Sequence, residues 1–298
     1  MRSALMAAVV LSAASVAAQQ EDFSKVEIKP TKLADGLYML TGAGGNIGLS
    51  VGDDAVFLVD DQYAPLTERI KAAIAAITDK PVRFVLNTHW HFDHTGGNEN
   101  LGQAGALIVA HDNVRKRMSV EQFIKDFNMK IPASPKAALP IITFSETTTF
   151  HLNGEEIQAV HVPPAHTDGD SLVHYRKANV LHMGDTFFNG AYPFFDMSSG
   201  GSIEGMIGAA EKALSLANAS TKIIPGHGPL ADRKALEVYL TVLKTSRDRI
   251  GTLVSAGKSA DEVIAARPLA EYDATWGKGF IQSDQFVRLV HASLSGQR

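Results

Sequence analysis

The chain has 298 residues, 45% of them hydrophobic and 20% charged. That length suits one large domain or two small ones, and the apolar content excludes collagen-like, low-complexity and disordered readings. The 28 basic and 32 acidic residues leave a net charge of −4, which argues against a nucleic-acid partner. Cysteine is absent. A disulfide, a thiolate nucleophile or a Cys-ligated metal is therefore excluded, and any metal must be held by His, Asp and Glu.

At the N-terminus, Met1-Arg2 carries one positive charge, Leu5 to Val16 is apolar and small, and Val16-Ala17-Ala18 fits a small-residue cleavage site. The expectation is a signal peptide over residues 1–18, a mature start at Gln19 and a single domain over 19–298. The location implied is periplasmic or secreted. No stretch approaches the ~20 apolar residues of a membrane-spanning helix, so no stable span is expected.

Three short strands are expected next, over Gly36 to Leu40, Gly45 to Val51 and Ala55 to Asp60, punctuated by Gly and Asp. Leu66 to Ile77 carries apolar residues at helical spacing. Val82 to Leu86 reads as a buried strand, and His89 to Gly97 as a loop off its C-terminal end. Ala106 to Ala110 is strand-like and Asp112 to Met118 a short helix. Residues 128 to 146 are broken by Pro132, Pro135 and Pro140, and read as a long surface connection able to act as a flap. Strands are expected at Thr148 to Leu152, Glu156 to Val162, Ser171 to Tyr175, Val180 to Met183 and Lys222 to Ile224. Helices are expected at Ile203 to Ala217, Asp232 to Ser255, Asp261 to Ala266 and Ser283 to Leu294. Two packed sheets with helices outside accommodate this α/β order.

The segment with the most chemistry is Thr88-His89-Trp90-His91-Phe92-Asp93-His94. Three His and one Asp lie within six residues, just after a buried strand. Imidazole and carboxylate are donors that divalent zinc accepts. On extended backbone His89 and His91 point to the same side and can share one ion. Asp93 and His94 follow after the chain turns, placed for a second ion, and Gly96-Gly97 permits that turn.

This segment resembles the His-x-His-x-Asp-His signature of the metallo-β-lactamase superfamily. Further elements follow in order: His166 in Pro163-Pro164-Ala165-His166-Thr167, Asp185 in His182-Met183-Gly184-Asp185-Thr186, and His227 in Pro225-Gly226-His227-Gly228. Asp60 or Asp61 stands where the family has a structural aspartate. The resemblance spans roughly residues 30 to 250. It implies an αββα sandwich, two mixed β-sheets flanked by helices, with two Zn2+ per chain at the sheet edge. One zinc is implied at His89, His91 and His166, the other at Asp93, His94 and His227, with Asp185 between them. Such a pair ionises a shared water at neutral pH and polarises a carbonyl. Asp93 is the expected catalytic residue, orienting that water and moving its proton.

The implied function is an exported dinuclear zinc hydrolase that opens a cyclic amide or ester of a small-molecule substrate, β-lactamase-like. The lack of cysteine departs from the zinc β-lactamases that place one in the second site. The ligand set is closer to lactonases and glyoxalase-II-type thioesterases. Glutathione thioesters are mainly cytosolic, and export counts against them. An iron-dependent redox enzyme on the same fold is the rival of another class.

His161, His174 and His182 are expected as hydrogen-bonded wall residues, and His111, His151 and His291 as surface or cap positions. The aromatic stretch Phe187 to Asp196 reads equally as pocket wall or core. Ser202 is an expected N-cap. Asn98 is expected to cap a helix. The oligomeric state has no sequence signal.

Overall fold

The computed structural model describes residues 22–296. The expected signal peptide, residues 1–18, lies outside them.

In chain order the strands are β1 (Lys29–Ala34), β2 (Leu37–Thr41), β3 (Ile47–Val51), β4 (Val56–Val59), β5 (Val82–Asn87), β6 (Leu107–His111), β7 (Gln122–Ile124), β8 (Met129–Ile131) and β9 (Ile142–Phe144). They continue with β10 (Thr147–Leu152), β11 (Glu155–His161), β12 (Ser171–Tyr175), β13 (Val180–His182), β14 (Lys222–Ile224) and β15 (Ala231–Asp232). The helices are α1 (Thr67–Ala75), α2 (Phe92–Thr95), α3 (Asn98–Gln103), α4 (Asp112–Met118), α5 (Ile203–Leu216), α6 (Arg233–Ser255), α7 (Ala260–Ala265), α8 (Ala270–Trp276) and α9 (Ser283–Ser295).

Two mixed sheets result. The first runs β1-β2-β3-β4-β5-β6-β9, antiparallel to β4 and parallel from there on. The second runs β10-β11-β12-β13-β14-β15, with β13 and β14 parallel. Strand β4 shows why they stack. Its side chains alternate with period two. Phe57 and Val59 join Ile157, Val173 and Ile224 of the second sheet between the layers. Val56 and Leu58 point the other way, to Leu66, Ile70 and Ile74 on the α1 side. On the far face of the second sheet, Leu172, Leu181 and Ile223 pack against α5, α6 and α9 through Met206, Leu236 and Val290. The expected αββα sandwich is the observed one.

The structure corrects several expected elements. Strand β1 is an addition to the expected strands; its first four residues are exposed, so it carries no apolar alternation. Gly44 and Gly45 belong to a turn before β3, and Asp60 leaves β4 in the left-handed region at φ 64°. Residues 128 to 146 are not one connection: β8 pairs with β7 in a hairpin, and β9 adds the edge strand beside β6. The three prolines break the periodicity without preventing three-residue strands. Helices α2, α3 and α8 are additions to the expected set, α2 falling inside the stretch His89 to Gly97 that reads as a loop. No helix among the described residues is long and apolar enough to cross a membrane.

Candidate metal centre

Strands β4, β5, β13 and β14 all end at one edge of the sandwich, so the segments after them converge. After β5 the chain leaves as Thr88-His89-Trp90-His91 and turns into the short α2, whose first turn holds Asp93 and His94. His166 comes from the β11–β12 loop, Asp185 from the turn after β13, and His227 from the turn after β14. All seven predicted residues meet. The ligand-capable atoms of His89, His91 and His166 lie within 4.8 Å of one another, as do those of Asp93, His94 and His227. Asp185 stands between the two groups. Its Oδ1 is 3.0 Å from His94 Nε2, and its Oδ2 is 3.3 Å from His227 Nε2, 3.5 Å from His166 Nε2 and 4.0 Å from His89 Nε2.

The outward contacts decide which nitrogen faces inward. His166 Nδ1 is 2.8 Å from the Phe194 carbonyl, which can only accept, so Nδ1 carries the proton. The Thr88 hydroxyl donates to Asp60 Oδ2 at 2.8 Å and therefore accepts from His89 Nδ1 at 3.1 Å. His94 Nδ1 donates to Asp60 Oδ2 at 2.8 Å, and His91 Nε2 donates to Asp196 Oδ2 at 3.3 Å. With the outer nitrogen carrying the proton, His89, His91 and His166 turn their other nitrogen to the centre, and His94 turns Nε2 to Asp185 Oδ1. His91 Nδ1 and His166 Nε2 face each other at 2.8 Å, and buried His89 Nε2 has no hydrogen-bond partner. Facing lone pairs and an orphaned buried nitrogen are what a cation relieves. The donor set of imidazole and carboxylate suits zinc. These residues fit a pair of metal ions.

Burial pushes His89 well down and His166 down to about 4, so both rest neutral. Burial acts the same way on His227, yet Asp185 and Asp93 carry it up to about 10. His94 is likewise driven well up against burial by Asp185, Asp93 and Asp60. Burial raises the carboxyls of Asp93 and Asp185, and the facing histidines reverse this and hold both below the usual range. Without metal, His94 and His227 therefore store protons where His89 and His166 store lone pairs.

The model of the family described as the metallo-β-lactamase superfamily matches residues 40–229. The chain belongs to the metallo-β-lactamase superfamily. Its members are metal-dependent hydrolases, and the His/Asp centre of this superfamily member is the metal-competent cluster just described. The metallo-β-lactamase of Pontibacter korlensis superposes with a TM-score of 0.60 at 20% identity, over 73% of this chain and 99% of that one, which is a likeness of fold. An acyl-coenzyme A thioesterase of Bos taurus is 22% identical over 207 residues, 64% of this chain and 72% of the relative. The alpha subunit of a 2,4-dinitroanisole O-demethylase from Nocardioides is 26% identical over 142 residues, 47% of this chain. The match spans only 40% of that relative's length.

Around the superfamily's site, a ring of supporting residues holds the inner ones. Asp60, of the two structural aspartate candidates, touches His94 directly and reaches His89 through the Thr88 hydroxyl; it also accepts from the Thr88 amide at 2.8 Å. Asp61 instead accepts from the Gly97 amide at 2.9 Å and braces the loop. Asp170 accepts from the His166 and Thr167 amides and shapes that turn, its carboxyl pushed up to about 7 by burial. Asn46 donates to the carbonyls of Pro225 and Gly228, both at 2.9 Å, and latches the His227 turn to the first sheet. Asn46 and Asp196 had no sequence signal for this role, because the site groups they hold lie 105 to 182 residues away.

The other histidines divide. His182 donates to Asn46 O at 3.0 Å, and His161 Nδ1 to Asp170 O at 2.9 Å, in keeping with wall roles. His174 sits half-buried in β12. Among the described residues none of these three joins a metal-competent group. His111 caps α4 but is buried, and His151 is exposed on β10. His291 is buried against Lys258 O, which corrects the surface expectation. Asn98 caps nothing: Gly97 holds the cap position, and Asn98 is buried against Asn87 and the Ala138 carbonyl. Ser202 caps α5 through the Gly205 amide at 3.0 Å.

The aromatic stretch splits between both expected roles. Phe187 and Phe195 are core, whereas Phe188, Tyr192 and Phe194 line a cavity of about 590 Å³ over the inner residues. The cover on its other side is the β7–β8 hairpin, which contributes Ile124, Phe127 and Met129. The flap-like element thus begins before residue 128, at Gln122, and ends at Ile131.

Proposed function

We propose that this chain is an exported dinuclear zinc hydrolase that opens a cyclic amide or ester. The observation supporting it is the placement of Asp185 between two groups of three His or Asp side chains, at the floor of a substrate-sized cavity. His89, His91 and His166 would hold one ion, and Asp93, His94 and His227 the other, with Asp185 shared. Two zinc ions there supply Lewis acidity and a water that ionises near neutral pH. The chain's own residues do the rest. Asp93 Oδ2, 3.2 Å from His227 Nε2, orients the attacking water and receives its proton. Asp60 and Asp196 fix the rings of His94 and His91. Phe188, Phe194 and the hairpin exclude bulk water from the scissile carbonyl.

Export rests on Met1 to Ala18, outside the described residues, and is tested by whether the mature protein starts at Gln19. It favours β-lactams and lactones over glutathione thioesters. A thioester is the second reading, supported by the likeness to an acyl-coenzyme A thioesterase. The test is a panel of β-lactams, lactones and thioesters on zinc-loaded protein, with metal content measured alongside. Two zinc ions per chain with acyl hydrolysis are expected; iron in their place, with no hydrolysis, points to the redox rival. In the same assay Asp93→Ala is expected to lower kcat by about 10²–10³-fold, the scale of one lost electrostatic group. Full turnover by Asp93→Ala would remove Asp93 from the mechanism.

A further inference from the structure

The cavity over the metal-competent atoms is lined without a single Lys or Arg. Its wall is apolar, from Ile124, Phe127 and Met129 on the hairpin to Phe188, Phe194 and Phe280 opposite. The mouth is more unusual than the wall. Phe92, Met129 and Phe280 all line this cavity and are all exposed, Phe280 at 74%. Large apolar side chains gathered in the open at a cleft mark an apolar ligand. Phe280 lies against Phe127, ring centres 5.2 Å apart, and Phe127 lies against Phe194 at 4.8 Å. Behind that row is a second cavity of about 640 Å³, which shares Phe127, Phe194 and Ile281 with the first and carries Lys125, Asp126 and Arg288 on its rim. The aromatic row is thus a continuous apolar track leading away from the inner atoms.

We infer that the substrate is a neutral lactone or ester whose long apolar substituent runs from the scissile carbonyl along Phe194, Phe127 and Phe280. This rests on the acyl-hydrolase reading above. Charge decides against the alternatives. A β-lactam carries a carboxylate beside the scissile amide, and a glutathione thioester carries two. Within the first cavity a carboxylate beside the scissile bond meets Phe, Ile and Met, with no Lys or Arg on that lining to pair it and with Asp93 and Asp185 on the floor. Lys125 and Arg288 lie beyond Phe127 and Phe194, on the second cavity. An unpaired charge against an apolar wall is costly, whereas an alkyl chain gains with each methylene buried.

The experiment is a series of lactones and p-nitrophenyl esters of rising alkyl length, set against a β-lactam and a glutathione thioester, on the zinc-loaded full chain. The expected result is a rise in kcat/KM of about fourfold per methylene, the equivalent of ~0.8 kcal/mol each. The long-chain neutral substrates should exceed both carboxylate-bearing ones by about 100-fold. Phe280→Ala and Phe127→Ala should flatten the rise while zinc stays at two per chain. A flat series, or faster turnover of the carboxylate-bearing substrates, overturns the inference and leaves the hydrolase reading standing. Calorimetry with 1-decanol gives a readout independent of turnover. Binding with a negative heat-capacity change, weakened in Phe280→Ala, supports the track, and absence of binding overturns it. If the zinc-loaded protein hydrolyses nothing, the proposed function falls, and the 1-decanol result still decides the pocket.

Discussion

Gly226 shows how little freedom the centre leaves to single residues. A Cβ there would lie 2.0 Å from Asp185 Oδ1, and one at Gly45 would lie 2.1 Å from His94 Cε1. Both contacts fall far inside van der Waals distance, so Gly226→Ala must move Asp185. The expected outcome is fewer than two zinc ions per chain by metal analysis, and two retained ions would contradict the placement of Asp185. Asp196 tests the supporting ring. It is buried, accepts from His91 and from Ser199, and leaves His91 Nδ1 turned inward. Asp196→Asn should weaken zinc affinity by about 10- to 100-fold in competition with a chelator, the range for lost outer partners of metal histidines. Unchanged affinity would reduce Asp196 to packing. Asp60 and Gln62 are both buried and both left-handed, φ 64° and 56°, so the bend that delivers Asp60 to His94 carries backbone strain.

Elements with a strong period read well and elements without one did not. Helix α5 buries Met206, Ala209, Ala210 and Ala213 on one face, and Ser202 starts it with a capping side chain. Ser202→Ala should cost about 1 kcal/mol. In a protein of this size that lowers Tm by roughly 2–4 °C, measured by calorimetry, and an unchanged Tm would discount the cap. By contrast β9 has three residues, two of them exposed, and forms because β6 offers it an open parallel edge. The β7–β8 hairpin is similar: its strands are short and its tip, Asn128, is left-handed at φ 48°. Phe127, between its strands, packs on Phe194 and Phe280. The prolines nearby signalled a loop and concealed both elements.

At the scale of the whole molecule, proton and metal compete for one centre. His94 is raised well above its usual value and His227 to about 10, both by carboxylates that outweigh burial. A raised histidine contributes stability that is full below its unfolded value of 6.5. That stability is lost as pH rises through the folded value, here about 10 for His227. The metal-free chain should therefore lose stability from about pH 6.5 upward, and the zinc-loaded chain should not. Zinc uptake at neutral pH should release protons from the second group. Calorimetric titration in two buffers of different ionisation enthalpy measures that release, and identical heats in both would contradict it.

The sequence by itself determined the local part of this protein. His89, His91, Asp93 and His94 lie within six residues, so backbone geometry alone brings their side chains close. The continuous apolar run of β4, Val56 to Val59, likewise requires cover on both of its faces. The family motifs at His166, Asp185 and His227 carried the remaining inner residues. What only the tertiary structure decided is every contact made across the sandwich: Asp196 on His91, Asn46 on the His227 turn, Gly226 beneath Asp185, and the hairpin over the cavity. The physical reason is separation along the chain. A residue's near neighbours follow from bond lengths and dihedral angles, but Asn46 meets Pro225, 179 positions away, only because both sheets end at the same edge.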